Sequence, residues 1–100
     1  MPDEVIVISS KAASNNDGIA SGVFGENVTS QILDIATKST AIVGDVARVQ
    51  SKGTGFWVAL GGSDVSAAAD TDGSFWLPAD QSFDFEVTQN QNYVDTAADA

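Results

Sequence analysis

The stretch Lys52-Gly-Thr-Gly-Phe-Trp-Val-Ala-Leu-Gly-Gly62 decides how the chain is read. Two large aromatics stand side by side between pairs of glycines. Successive side chains of a β-strand point to opposite faces, so Phe56 and Trp57 cannot share one. Phe56, Val58 and Leu60 form one row, and Trp57 and Ala59 the other. One row belongs in a core. The other row needs a separate explanation.

The same period of two recurs on both sides. Before the turn Ser51 to Gly55, Val46 and Arg48 oppose Ala47 and Val49. After it come a short strand, Ser74 to Leu77, ended by Pro78, and an alternating segment, Ser82 to Thr88. In the latter, Phe83, Phe85 and Val87 oppose Asp84 and Glu86. Val5 to Ile8 reads as a strand. Asn27 to Ile35 fits strand and helix spacing about equally, and strand is preferred because the rest of the chain is β-like. Gly61–Asp64 and Asp70–Gly73 are turns, Val65–Ala69 is a brief return, and the tail from Gln89 holds one apolar pair, Tyr93–Val94. Short strands at this spacing, with Gly and Asp between them, predict an all-β fold: a small antiparallel β-sandwich or jelly-roll-like barrel. Its extended N-terminal segment, residues 1–22, contains the soft run Ser9–Gly22 and reads as a strand followed by a loop or arm. The sandwich is expected over 23–96 and a tail over 97–100.

The expected core joins Phe56, Val58, Leu60, Phe83, Phe85 and Val87, with Phe75 and Leu77 if their parity matches. Trp57 and Trp76 are then left on outer or edge-facing positions, where each either closes the end of its own sandwich or meets a partner. Indoles bury much area at low entropy cost, so Trp57 and Trp76, with Tyr93, are the interface candidates.

Composition removes several chemistries. The 100 residues include no cysteine and no histidine, which leaves no thiol and no ordinary general base. No serine has a base to activate it, so no catalytic residue is assigned, and no cofactor is expected. Fourteen acids against four bases give a net charge of −10. Such a field repels phosphate backbones and anionic membrane surfaces, so neither nucleic acid nor membrane is an expected partner. The start of the chain, MPDEVIVISS, carries acids where a secretory leader needs bases, and no run reaches membrane-spanning length. Asp70 and Asp72, with Asp64 or Asp80, could supply oxygen ligands to a calcium ion, but further ligands at set positions are missing and Asp-Thr-Asp-Gly reads better as a plain turn. Asn27-Val28-Thr29 matches a glycosylation acceptor by chance.

From Ser39 to Ala98 the order of features, STAIVGDVARVQSKGTGFWVALGGSDVSAAADTDGSFWLPADQSFDFEVTQNQNYVDTAA, resembles a loose group of small tailed-phage virion proteins. The shared features are a strand ending near Arg48-Val49, a small-residue turn, an aromatic-valine strand closed by glycine, and an alanine-rich segment. A Leu-Pro turn at Leu77–Gln81 and a last hairpin over Phe83–Val94 complete the match. Asp80 departs from the pattern, which favours glycine there, and Ser9–Gly22 is not part of it. The resemblance implies a β-sandwich that decorates or cements a capsid, or a head–tail or tail component. It implies as partners the major capsid protein or other virion proteins and a location in the virion. A decoration protein would sit as a homo-oligomer, with a trimer favoured, and Pro2–Ser21 and Gln89–Ala100 are the arm candidates. The alternative from the residues is a carbohydrate- or receptor-binding module of a tail fibre, with Trp57 and Trp76 stacking on sugars.

Overall fold

In the computed structural model, which describes residues 4–14, 20–25 and 27–98, nine strands and no helix are found among the described residues. They are β1 (Glu4–Ser10), β2 (Ala12–Ser14), β3 (Ala20–Phe24), β4 (Thr29–Leu33), β5 (Val46–Lys52), β6 (Phe56–Gly61), β7 (Phe75–Leu77), β8 (Ser82–Glu86) and β9 (Tyr93–Ala97). Two antiparallel sheets make a small β-sandwich. One has the order β4-β1-β5-β8 and the other β7-β6-β9; β2 and β3 form a separate ribbon.

The alternation read from sequence sets the layers. From the four-stranded sheet, Val5, Val7, Ala47, Val49 and Phe85 point inward; Phe56, Val58, Leu77 and Val94 meet them from the other sheet. Phe56, Val5, Val49, Val58 and Val94 are fully buried. Leu60, Phe75 and Val87 are partly buried against this cluster. Phe83 shares the parity of Phe85 but is 42% exposed. It lies on β8, at the rim of the sheet, and has a full neighbour on one side only. Its expected core position is therefore corrected to a seam position, where its ring meets Phe75 with centroids 4.8 Å apart.

Four further expectations change. Glu4–Ser10 is an interior strand flanked by β4 and β5, so this part of Pro2–Ser21 is sandwich and not arm. Only β2 and β3 leave the sheet, and the chain between them, 15–19, lies outside the described residues along with Pro2. Val65–Ala69 forms no strand. β8 and β9 belong to different sheets, so Phe83–Val94 is a crossover and not a hairpin; the only bridge within it is Thr88 with Gln91. β9 also continues to Ala97 because its inward residues, Val94 and Thr96, are both buried against β6.

The connection from β4 to β5 stitches one flank. Ser39 donates its backbone N–H to the carbonyl of Val94 and accepts the Val94 N–H on its hydroxyl, at 2.8 and 2.9 Å. Ile42 donates to the carbonyl of Asn92 at 2.8 Å. The side chain of Gln31, on β4, grips Thr40: its Oε1 accepts the Thr40 N–H at 3.0 Å. These bonds give the edges of β4 and β9 partners that no regular strand supplies. Gly44 follows at φ +138°. A Cβ there would lie 2.6 Å from the Ser10 carbonyl oxygen, so only glycine lets the connection turn back beside β1.

Ala36 occupies the left-handed region at φ 72° in the same connection, with its N–H donated to Thr96 Oγ1 at 3.0 Å. Ala36→Gly should raise stability by about 0.5–1 kcal/mol, the left-handed cost less the extra entropy of an unfolded glycine. The expected readout is a higher urea midpoint at unchanged slope.

Candidate interaction surface

The register places Trp57 directly opposite Trp76, with Ala97 on the other side of Trp57. All three point away from the core, since their neighbours Phe56, Leu77 and Thr96 point in. Gly61 and Tyr93 are paired on the same outward face, at the far end of β6. The three interface candidates therefore share one face. They do not form one patch, because residues of the 62–74 loop lie over the middle of it. Val65 sits against Gly61, so that a Cβ on that glycine would come within 3.1 Å of it. Asp95 accepts the backbone N–H of Ala67 at 2.8 Å, and Ala59 is buried beneath.

The two tryptophans differ in burial. Trp57 is half-buried, and its indole Nε1 is enclosed with no acceptor in reach. Such an orphan donor costs about 1–3 kcal/mol, so the ring is held by packing. Trp76 stands edge-on to it, with centroids 5.6 Å apart and planes at 63°, and is 40% exposed. Its six-membered ring lies over Gly55: a Cβ there would fall 2.5 Å from Trp76 Cζ2 and 2.8 Å from the Leu77 carbonyl oxygen. Gly55 is what lets the indole lie down on the strand.

Trp76 also belongs to a longer aromatic rim. β7 has one aromatic on each face, Trp76 outward and Phe75 inward, and Phe75 reaches Phe83 on β8. The crossover between β7 and β8 is fixed by Ser51, whose hydroxyl donates to the Pro78 carbonyl and accepts the Gln81 N–H at 3.1 Å. Asp80 sits there at φ 59° and accepts the Gly53 N–H on its carboxylate at 3.2 Å. That accounts for an aspartate where glycine is expected: the backbone is the one glycine favours, and the side chain adds a hydrogen bond that glycine lacks.

Asp70 and Asp72 are exposed in the 62–74 loop, Asp70 at φ 53°, and Ser74 closes the turn onto Thr71 at 3.0 Å. No group of three or more His, Cys, Asp or Glu placed to hold a metal ion occurs among the described residues. Asp95, on β9, accepts the Ala67 N–H.

The outward face of the four-stranded sheet is the feature sequence reasoning passed over. Ile6 lies opposite Ile32 on β4, beside Ile8; Ile32 is 64% exposed and Val28, just ahead of β4, is 60% exposed. The signal was present in Val5-Ile-Val-Ile8, where both parities are apolar although only one can face the core. On the β5–β8 half, Arg48 grips both carboxylate oxygens of Asp84, at 2.6 and 3.1 Å. Lys52 lies 3.3 Å from Glu4. Hydrogen bonding from Arg48 holds the Asp84 carboxyl below its usual range, and Asp84 in turn raises Arg48.

No family model matches the chain, and no curated protein or solved structure matches it significantly.

Gly55→Ala should lift Trp76 off the sheet. The expected result is loss of the near-ultraviolet circular dichroism that arises from coupling between the two indoles, with a red shift of fluorescence, while the far-ultraviolet spectrum is kept. A second outcome concerns pH. Asp84 is depressed in the folded state, so its contribution is present above the unfolded value near pH ~4 and is lost as pH falls through the lower folded value. Asp84→Asn should therefore lower stability by about 0.2–1 kcal/mol at neutral pH, as for other half-exposed pairs. The gap from the parent should close below pH ~4 in urea melts.

Proposed function

We propose that this chain is a non-catalytic structural module that works by docking onto other proteins, and that its setting is a phage virion, where it decorates or stabilises the capsid. The observation that carries the docking reading is the division of labour between the tryptophans. Trp57 is used up in closing the sheet. Trp76 is held rigid by Trp57 and Gly55 and still presents 40% of its surface. A preordered indole of this kind loses little entropy on binding and suits the anchor of a contact.

The sequence supports the non-catalytic part, since it has neither histidine nor cysteine. The virion setting rests on the resemblance of Ser39–Ala98 to small tailed-phage proteins. A decoration protein needs solubility before assembly, which a charge of −10 supplies, and contacts that are individually weak but many. Sugar stacking is less well supported. It favours flat, side-by-side ring faces, and the planes of Trp57 and Trp76 are inclined at 63°.

Two measurements test this. Imaging of the particle carrying the chain should find it at shell-wide, symmetry-related positions; a few copies on a fibre would overturn the decoration reading. Trp76→Ala, folded by circular dichroism, should lose attachment to the shell by about tenfold or more. Undiminished attachment would remove Trp76 as the anchor.

A further inference from the structure

We propose that the β8 edge of the four-stranded sheet accepts a further strand from a different protein: an extended segment of alternating apolar and basic residues, paired antiparallel to Ser82–Glu86. The inference rests neither on the virion setting nor on Trp76. It starts from the backbone. Gln81 accepts the Ser51 N–H and Val87 donates to the Asp45 carbonyl, both at 2.9 Å, so the odd-numbered residues here turn their peptide groups toward β5. Ser82, Asp84 and Glu86 therefore turn theirs to the open edge. Gln91 Nε2 donates to the Glu86 carbonyl at 2.7 Å, which caps the far end of this row. No described residue bonds the main-chain groups of Ser82 and Asp84 on that side.

The other edges differ. The connection from β4 to β5 runs along β9 through Ser39 and Ile42 and is tied to β4 through Gln31. β7 has only three residues. An antiparallel strand laid on β8 exchanges pairs of hydrogen bonds with Ser82 and Asp84. Its side chains opposite Phe83 and Phe85 face the seam, where Phe83 is 42% exposed and meets Phe75, so apolar residues belong there. Its alternate side chains face out beside Asp84 and Glu86, both exposed.

Charge names the occupant. Every Lys and Arg of the chain, Lys11, Lys38, Arg48 and Lys52, precedes Gly53, so β6 to β9 and the loops between them carry acids only. Arg48, on the neighbouring strand, is engaged by Asp84, and Glu86 has no ion pair among the described residues. Opposite charges facing each other across a strand pair stabilise it, and like charges destabilise it. A second copy pairing β8 on β8 about Asp84 sets that carboxylate against itself. The acids thus keep acidic strands off this edge and select one that brings Lys or Arg.

The probe is a capped hexapeptide of alternating lysine and valine, titrated into the isotope-labelled full chain and followed by nuclear magnetic resonance. Expected are saturable amide shifts and slowed hydrogen exchange centred on Ser82, Asp84 and Glu86. The same peptide N-methylated at its lysines keeps its charge but loses its main-chain donors, and should bind about tenfold or more weakly. A glutamate–valine hexapeptide should bind as poorly. Ser82→Pro removes one outward N–H at the first position of the strand, where proline is tolerated, and should weaken binding by about threefold to tenfold. Glu86→Lys should reverse the preference between the lysine and glutamate peptides, and is read alone if circular dichroism shows Ser82→Pro unfolded. Trp76→Ala should leave binding unchanged, which separates this edge from the docking anchor. The proposal is overturned by no response up to millimolar peptide, by equal binding of the N-methylated or glutamate peptide, by shifts that map to another edge, by a charge preference unmoved in Glu86→Lys, or by a parent chain that dimerises through β8.

Discussion

The structure depends on the segment between β4 and β5 being shared by both sheets. It leaves the four-stranded sheet at Leu33, runs beside β9 through Ser39 and Ile42, and returns to begin β5 at Val46. Each step requires a particular residue. Ala36 turns in the left-handed region, Ser39 bonds both the N–H and the carbonyl of Val94, and Gly44 passes the Ser10 carbonyl at a distance no side chain allows. In a domain this small, a core of about ten buried side chains leaves little surplus, so edge bonds that would be incidental elsewhere matter for holding the sheets together.

Closing one flank in this way leaves the other to be closed by side chains. β7 and β8 are the edge strands on that side, and the short crossover that joins them is held at one end of the seam by Ser51. Phe75 and Phe83 bridge the gap, at the cost of leaving Phe83 in partial contact with water. Trp76 lies on the same short strand, facing out. The aromatic rim follows this topology: beyond the crossover, rings on the two edge strands fill the seam. A rim of exposed aromatics along two edge strands is also where an external partner finds both apolar area and free backbone groups.

How much of this could be read from the residues follows from where neighbours lie in the chain. The faces of β5, β6 and β8 were legible because a period of two needs only local information, and Phe56, Val58, Phe85 and Leu77 are buried as that period requires. Trp57 and Trp76 were legible as outward residues for the same reason. Phe83 was not, because parity says which face a side chain takes and says nothing about whether its strand lies at the rim. The long run to Ala97 in β9 was hidden by an acid and a threonine, Asp95 and Thr96, whose places are set by Ala67 and Ala36 from distant parts of the chain. Ser9 and Ser10 looked like the start of a loop. They are buried because Ser9 bonds Thr29 and Ser10 receives the N–H of Gly25, and such long-range satisfaction leaves no mark in local composition.

A chain of charge −10 that still exposes Ile32, Val28 and Trp76 combines two opposed tendencies. Charge repulsion acts over roughly a Debye length, about 8–10 Å in physiological salt. Apolar contact acts only when surfaces touch. The first therefore governs encounter, and the second governs what survives it. With acids spread over most of the surface, random collisions are turned away before the isoleucines or the indole can engage. Approach succeeds where charge is locally compensated, as beside the Arg48–Asp84 and Lys52–Glu4 pairs, or where a partner supplies positive charge of its own. The four basic residues are few, but two of them stand on one face of one sheet, next to the exposed isoleucines.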